Sequence, residues 1–201
     1  MHGLGDTSQG FLDVFLDQSL AVSPLSMKVV LLQAPTRAVT CNGGAQMPSW
    51  FDILDWNIKG TTRDMDMKQL EESKDLVLTL IKEELKTLNN DWSKIHIGGF
   101  SQGCCLSYHL YFSLQQNIGS LVCLSGYTPL LQGQEKIVQK TKIFAYHGTH
   151  DPVVPEKVHQ ESAEKLFKAG HQIEYRSERH LQHSLSKKEM DLMKEFYAQY
   201  E

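Results

Sequence analysis

The chain has 201 residues, 41% hydrophobic and 22% charged, a balance that excludes a disordered or fibrous class. Its net charge of −4 gives no electrostatic reason to expect nucleic acid or an anionic membrane as partner. No apolar run approaches the roughly 20 residues of a membrane span, so no stable membrane insertion is expected. The opening Met1-His2-Gly3-Leu4-Gly5-Asp6 has neither the basic start nor the apolar core of a signal peptide. One domain, residues 1–201, is expected. Cys41, Cys104, Cys105 and Cys123 match no zinc spacing, and two adjacent cysteines cannot readily serve two long-range bridges. Reduced thiols in a cytoplasmic protein are the expectation.

In chain order, Val29-Val30-Leu31-Leu32 is a β-favouring run stopped by Pro35. The stretch from Pro35 to Gly60 carries two prolines, three glycines and Trp50, Phe51 and Trp56. It reads as a long ordered loop over the sheet edge or the active site. From about Asp64 to Leu88 a helical stripe runs through Leu70, Val77, Ile81, Leu85 and Leu88. Glu71 and Glu72 lie toward its start and Lys82 and Lys86 toward its end, complementing the helix dipole. Ile95-His96-Ile97 predicts a strand, and Gln102 to Leu114 a helix packed inside the fold. Leu121–Leu124 and Ile143–Tyr146 predict two further strands, each followed by glycine. A helix over Glu156–Ala169 lies between Pro155 and Gly170, and Ile173-Glu174-Tyr175 is a weaker strand. The last helix, Lys187 to Tyr200, opens on Ser186-Lys187-Lys188-Glu189, a capping box. Strand alternating with helix predicts an α/β, doubly wound, mostly parallel sheet with helices on both faces.

The chemistry concentrates at Gly99-Phe100-Ser101-Gln102-Gly103, a G-x-S-x-G pattern between a strand and a tight apolar helix. A serine on such a turn is strained and lifts its hydroxyl off the sheet, while the glycines permit close backbone approach. The helix that follows aims its first amides where oxyanion charge develops. A serine hydroxyl needs a base, and in this fold acid and base follow the serine at later strand ends. Asp151 lies in His147-Gly148-Thr149-His150-Asp151-Pro152-Val153-Val154-Pro155, directly after a strand. Nine histidines are present. His2, His96, His109, His159 and His171 lie outside the expected base loop, and His147 and His150 flank the acid. His180 and His183 remain, and periodicity does not separate them.

These segments resemble the acyl-protein thioesterases, also described as lysophospholipases or small carboxylesterases. The likeness runs from His2-Gly3-Leu4-Gly5-Asp6 and Ala34-Pro35 through Val39-Thr40 to Met47-Pro48-Ser49-Trp50-Phe51-Asp52-Ile53. It continues with Gly98 to Gly103, His147-Gly148, Asp151 to Pro155, and His183-Ser184 with Glu189-Met190. The resemblance implies the α/β-hydrolase fold and a Ser101, Asp151, His183 triad, and it prefers His183 over His180. It implies backbone N–H groups of Leu4 and Gln102 as the oxyanion hole, and Ile53, Tyr127 and Val153 near the acyl channel. No metal or organic cofactor is implied.

The implied substrates are S-palmitoylated proteins, with lysophospholipids or small esters as the alternative, and the implied state a monomer or weak dimer. Three departures stand out. Cys104 replaces a second glycine after the elbow, and His180 stands where the family tends to have glycine. The chain also begins at the His-Gly motif, where family members carry one or two strands first. The sheet is therefore expected to lack its first strand or strands, with an exposed edge and a weakly anchored oxyanion loop. A non-catalytic acyl-binding role is the alternative if that abolishes activity.

Overall fold

The structure, a computed structural model, describes residues 1–16, 26–60, 62–129 and 140–200. A short helix, α1 (Leu12–Leu16), is followed by two antiparallel hairpins. The first pairs β1 (Thr36–Val39) with β2 (Ala45–Pro48), the second β3 (Ile53–Lys59) with β4 (Thr62–Met65). Helix α2 (Met67–Thr87) leads to β5 (His96–Phe100), α3 (Gln102–Ser113), β6 (Ser120–Leu124) and β7 (Lys142–Gly148). Then come α4 (Glu156–Lys168), β8 (Gln172–Glu178) and α5 (Lys187–Tyr197). Strands β5 to β8 form one sheet in chain order, every neighbouring pair parallel.

Side-chain alternation along these strands divides the core in two. Leu121, Cys123, Ile143 and Ala145 face one way and pack with residues of α2, α3 and α4. Val122, Leu124, Phe144 and Tyr146 face the other way, against Met190, Met193 and Phe196 of α5 and Val14 of α1. Both faces of the sheet are therefore apolar, which is why the strands read as continuous hydrophobic runs. Helix α3, sealed on all sides, buries every residue from Gln102 to Phe112.

The predicted helices appear with ends shifted by up to three residues; the first begins at Met67, because Asp64 belongs to β4 and Asp66 is the N-cap. Two expectations are corrected. Val29–Leu32 forms no strand: a β-favouring run needs a ladder partner, and among the described residues none pairs with it. The stretch from Pro35 to Gly60 is not one loop but the β1–β2 hairpin and β3, with Trp50 and Phe51 fully buried.

The open edge of β5 is held by the start of the chain. The Met1 ammonium donates to Gly98 O at 2.7 Å, and Phe100 N–H donates to Met1 O at 3.1 Å. These two bonds are those of a parallel bridge opposite Gly99. Met1 thus docks as a one-residue strand, and the His2–Gly5 segment that follows it is anchored to β5. Beside it lies a groove of about 800 Å³ whose lining includes Met1, Val29, Leu31, Ile97 and Gly98.

At the far side, α5 opens on the predicted capping box. Ser186 Oγ accepts from Glu189 N–H at 3.0 Å, and Glu189 Oε2 accepts from Ser186 N–H at 3.3 Å. Ser186 Oγ also donates to Glu178 Oε2, which takes the Tyr146 hydroxyl at 2.7 Å. Burial, reinforced by the Glu178 charge, pushes the Glu189 carboxyl up to about 8 from an ordinary 4.5. The unfolded chain ionises this group first, so its contribution to stability is full below pH 4.5 and is lost as pH rises toward 8. Glu189→Gln keeps the cap and removes the ionisation. Urea unfolding at pH 8 should show a gain of about 1–3 kcal/mol, vanishing at pH 4.

Candidate active site

Ser101 sits between β5 and α3 in a strained positive-φ conformation, φ 54° and ψ −115°. Three glycines make the turn possible. A Cβ on Gly99 would lie 2.2 Å from Gly103 O, and one on Gly103 would lie 2.3 Å from Met1 O. One on Gly126, in the loop after β6, would lie 2.5 Å from Cys104 Cβ. Cys104 itself is fully buried against the sheet, so the departure from glycine there is absorbed.

Asp151 and His183 arrive from loops after β7 and β8. His183 Nε2 is 2.9 Å from Ser101 Oγ, and His183 Nδ1 is 2.7 Å from Asp151 Oδ2. This is the order of contacts a Ser–His–Asp relay requires. The two loops are tied to each other. His150 N–H donates to Leu181 O at 2.9 Å, Thr149 N–H to Glu178 O at 2.9 Å, and His180 N–H to Thr149 Oγ1 at 3.0 Å. Gly148 is required here, because a Cβ would lie 2.3 Å from Leu181 O.

The Asp151 carboxylate has no solvent exposure. Burial would push it up, but hydrogen bonds from His147, His183 and the Val154 amide outweigh that and hold it well below the ordinary carboxylate range. Oδ1 accepts from Val153 N–H and Val154 N–H, each at 2.8 Å. Oδ2 lies 3.2 Å from His147 Nε2, which also donates to Val154 O at 2.7 Å.

Opposite the serine, the segment His2–Gly5 is fixed from several sides. His2 Nε2 accepts from Ala34 N–H at 3.0 Å, so Nδ1 carries the proton and donates to Gly3 O at 2.8 Å. Trp50 Nε1–H donates to His2 O and Gly5 N–H to Pro48 O, both at 2.9 Å. The Gln102 side chain bridges to the Trp50 and Phe51 backbone. The backbone N–H groups of Leu4 and Gln102 have no acceptor among the described residues. Both residues line a cavity of about 290 Å³ together with Ser101 and His183.

Ile53, Tyr127 and Val153 also line this cavity. Every candidate from the sequence is therefore brought to one place except His180, which points away. That residue adopts φ 66° in an exposed turn with its ring 4.7 Å from His150, a conformation that a glycine would adopt without strain. Sequence reasoning missed His147 as a partner of Asp151, and Arg63 as cavity wall. His147 was findable, four residues before the acid on the strand that carries it; Arg63 left no signal.

The profile of the phospholipase/carboxylesterase family matches residues 1–200. Acyl-protein thioesterase 1 homolog 1 of Dictyostelium discoideum is 34% identical over 200 residues, covering 98% of this chain and 87% of the relative. Acyl-protein thioesterase 1 of Saccharomyces cerevisiae is 40% identical over 163 residues, 77% of this chain and 70% of the relative. The crystal structure of Arabidopsis thaliana SOBER1 superposes with a TM-score of 0.82 at 26% identity, covering 98% of this chain and 95% of that one. The chain belongs to the phospholipase/carboxylesterase family of α/β-hydrolases and is a serine hydrolase.

Proposed function

We propose that the protein removes long acyl groups, palmitoyl foremost, from S-acylated proteins. The observation that carries the reading is the unbroken contact chain from Ser101 Oγ through His183 to Asp151, facing the unpaired amides of Leu4 and Gln102. Ser101 Oγ attacks the acyl carbonyl as His183 Nε2 takes its proton. Asp151 holds the imidazole in the required tautomer and stabilises its charged form. The Leu4 and Gln102 amides receive the oxyanion. His183 then returns the proton to the departing thiol, and a water, deprotonated by the same nitrogen, releases the fatty acid from Ser101.

Ile53, Tyr127 and Val153 form the wall along which the acyl chain lies. The protein specificity is supported by the relatives, which are named acyl-protein thioesterases. A cytoplasmic setting is supported by four cysteines that are all free thiols. Among the described residues no helix is long and apolar enough to cross a membrane. A second reading, hydrolysis of short esters or lysophospholipids, is favoured by one observation. At about 290 Å³ the cavity stands at the small end of ligand pockets, roughly 300–1,000 Å³.

Hydrolysis of p-nitrophenyl esters from C2 to C16 decides between the two. Activity rising with chain length is expected; a maximum at C4 or below would sink the thioesterase reading and favour the second. Ser101→Ala should abolish both turnover and labelling by a fluorophosphonate, and full turnover in that variant would remove the assignment. Gly103→Ala drives a Cβ into Met1 O and displaces the oxyanion segment. It should lower kcat by about 10²–10³, the loss typical of one oxyanion donor, while circular dichroism shows the fold retained.

A further inference from the structure

We propose that Arg63 is a positioning residue for Asp151, acting through the one peptide group that joins Val153 to Val154. The proposal rests on the reading of Asp151 as the acid of the site. Arg63 stands on β4, outside the sheet that carries the triad, and is only 7% exposed. Among the described residues no carboxylate lies within 4.0 Å of its guanidinium. A buried cation without a counter-ion is unfavourable, and an apolar side chain of similar size would pack as well. Something other than packing retains the charge.

Two of the guanidinium's five N–H donors go to backbone carbonyls. Nε–H donates to Trp56 O at 2.9 Å, and an Nη2–H donates to Val153 O. The other end of that second peptide group is Val154 N–H, which donates to Asp151 Oδ1 at 2.8 Å. Cation, carbonyl, amide and carboxylate therefore stand in line. The peptide dipole has its negative end at Arg63 and its positive end at Asp151, so each charge strengthens the bond made by the other. Arg63 is in effect the counter-ion of Asp151, one peptide group removed. Oδ1 is pinned by this relay and by Val153 N–H, leaving Oδ2 aimed at His183. The same guanidinium lies 5.0 Å from the centre of the Trp56 ring, so the cavity wall and the acid share one support.

Among the described residues, the other ionisable groups near the two ends are few. His147 from β7, His159 from α4 and His183 face Asp151. Cys41, Cys105 and Tyr127 face the guanidinium, and Asp52 and Asp55 share its surroundings near Cys41.

The test compares Arg63→Gln with Arg63→Lys on p-nitrophenyl acetate, whose acyl group is too short to probe the cavity. Arg63→Gln should lower kcat about 10-fold with KM within about twofold, the pattern of an interaction used in the transition state. The acidic limb of the pH profile should move to higher pH, because a removed positive charge favours the protonated base. Arg63→Lys should restore the limb and most of kcat. Equal losses in both variants with an unmoved limb would mean a hairpin clamp only and overturn the proposal. In an Asp151→Asn background, Arg63→Gln should cost nothing further; an additive loss also overturns it. If Asp151→Asn alone left kcat intact, the triad reading itself would fall, a separate result. Should the glutamine variant not fold, Arg63→Met carries the same cycle.

Discussion

Helix α3 can begin at Ser101 only if its first turn lies against the backbone of β5 and of Met1 and His2, where no side chain has room. Gly99, Gly103 and Gly126 each meet heavy atoms at 2.2–2.5 Å from where a Cβ would be. That approach forces Ser101 into φ 54°, a conformation costing about 1–3 kcal/mol for a residue with a side chain. It also leaves Gln102 N–H as an orphan donor at the helix start, close to the serine. Met1 and Gly3 are seated on the same contact, Gly3 with its Cβ position 3.3 Å from Phe100 and 3.4 Å from Ser101 Cβ. Nucleophile, helix amide and facing segment therefore stand or fall together.

The acid obeys a different constraint. A carboxylate removed from water must be given donors in its place, and Asp151 is given two amides and two imidazoles. Three of these come from its own loop or strand. The fourth, His183, comes from the loop after β8, so the demand of a buried charge is what draws the base into position. The cross-links from Thr149 and His150 to Glu178, His180 and Leu181 hold the two loops in register. Asp151 and His183 are thus fixed by contacts between their loops before any substrate arrives.

Much of this was legible in the sequence, and for identifiable reasons. The strands of the central sheet are buried on both faces, so Leu121–Leu124 and Ile143–Tyr146 declare themselves by composition alone. The α5 boundary was readable because Ser186 and Glu189 stand at capping-box spacing. His183 was not separable from His180 by pattern, since the choice depends on which ring reaches Ser101 across 82 residues. Val29–Leu32 misled because strand propensity says nothing about whether a ladder partner exists. The stretch from Pro35 to Gly60 misled the other way: Gly43 and Gly44, at φ 66° and 79°, mark a hairpin turn, not an irregular loop. Arg63 was invisible because its role lies in a contact with a carbonyl 90 residues away.

What remains is why so much unmet polar demand can sit in one place. His147 Nδ1 and His159 Nε2 are buried without a partner among the described residues, beside a charged carboxylate and a strained serine. Burial drives His159 down to about 3, so its ring stays neutral and adds no charge to the site. Each of these groups on its own destabilises the fold by an amount comparable to a good core contact. They are tolerated because they lie at or against the ends of strands whose two faces are closed by apolar layers, with Phe144, Tyr146 and Ile143 wholly enclosed. Rigidity comes from the sheet and the chemistry from the loops at its end, and the backbone bonds between those loops carry the one into the other.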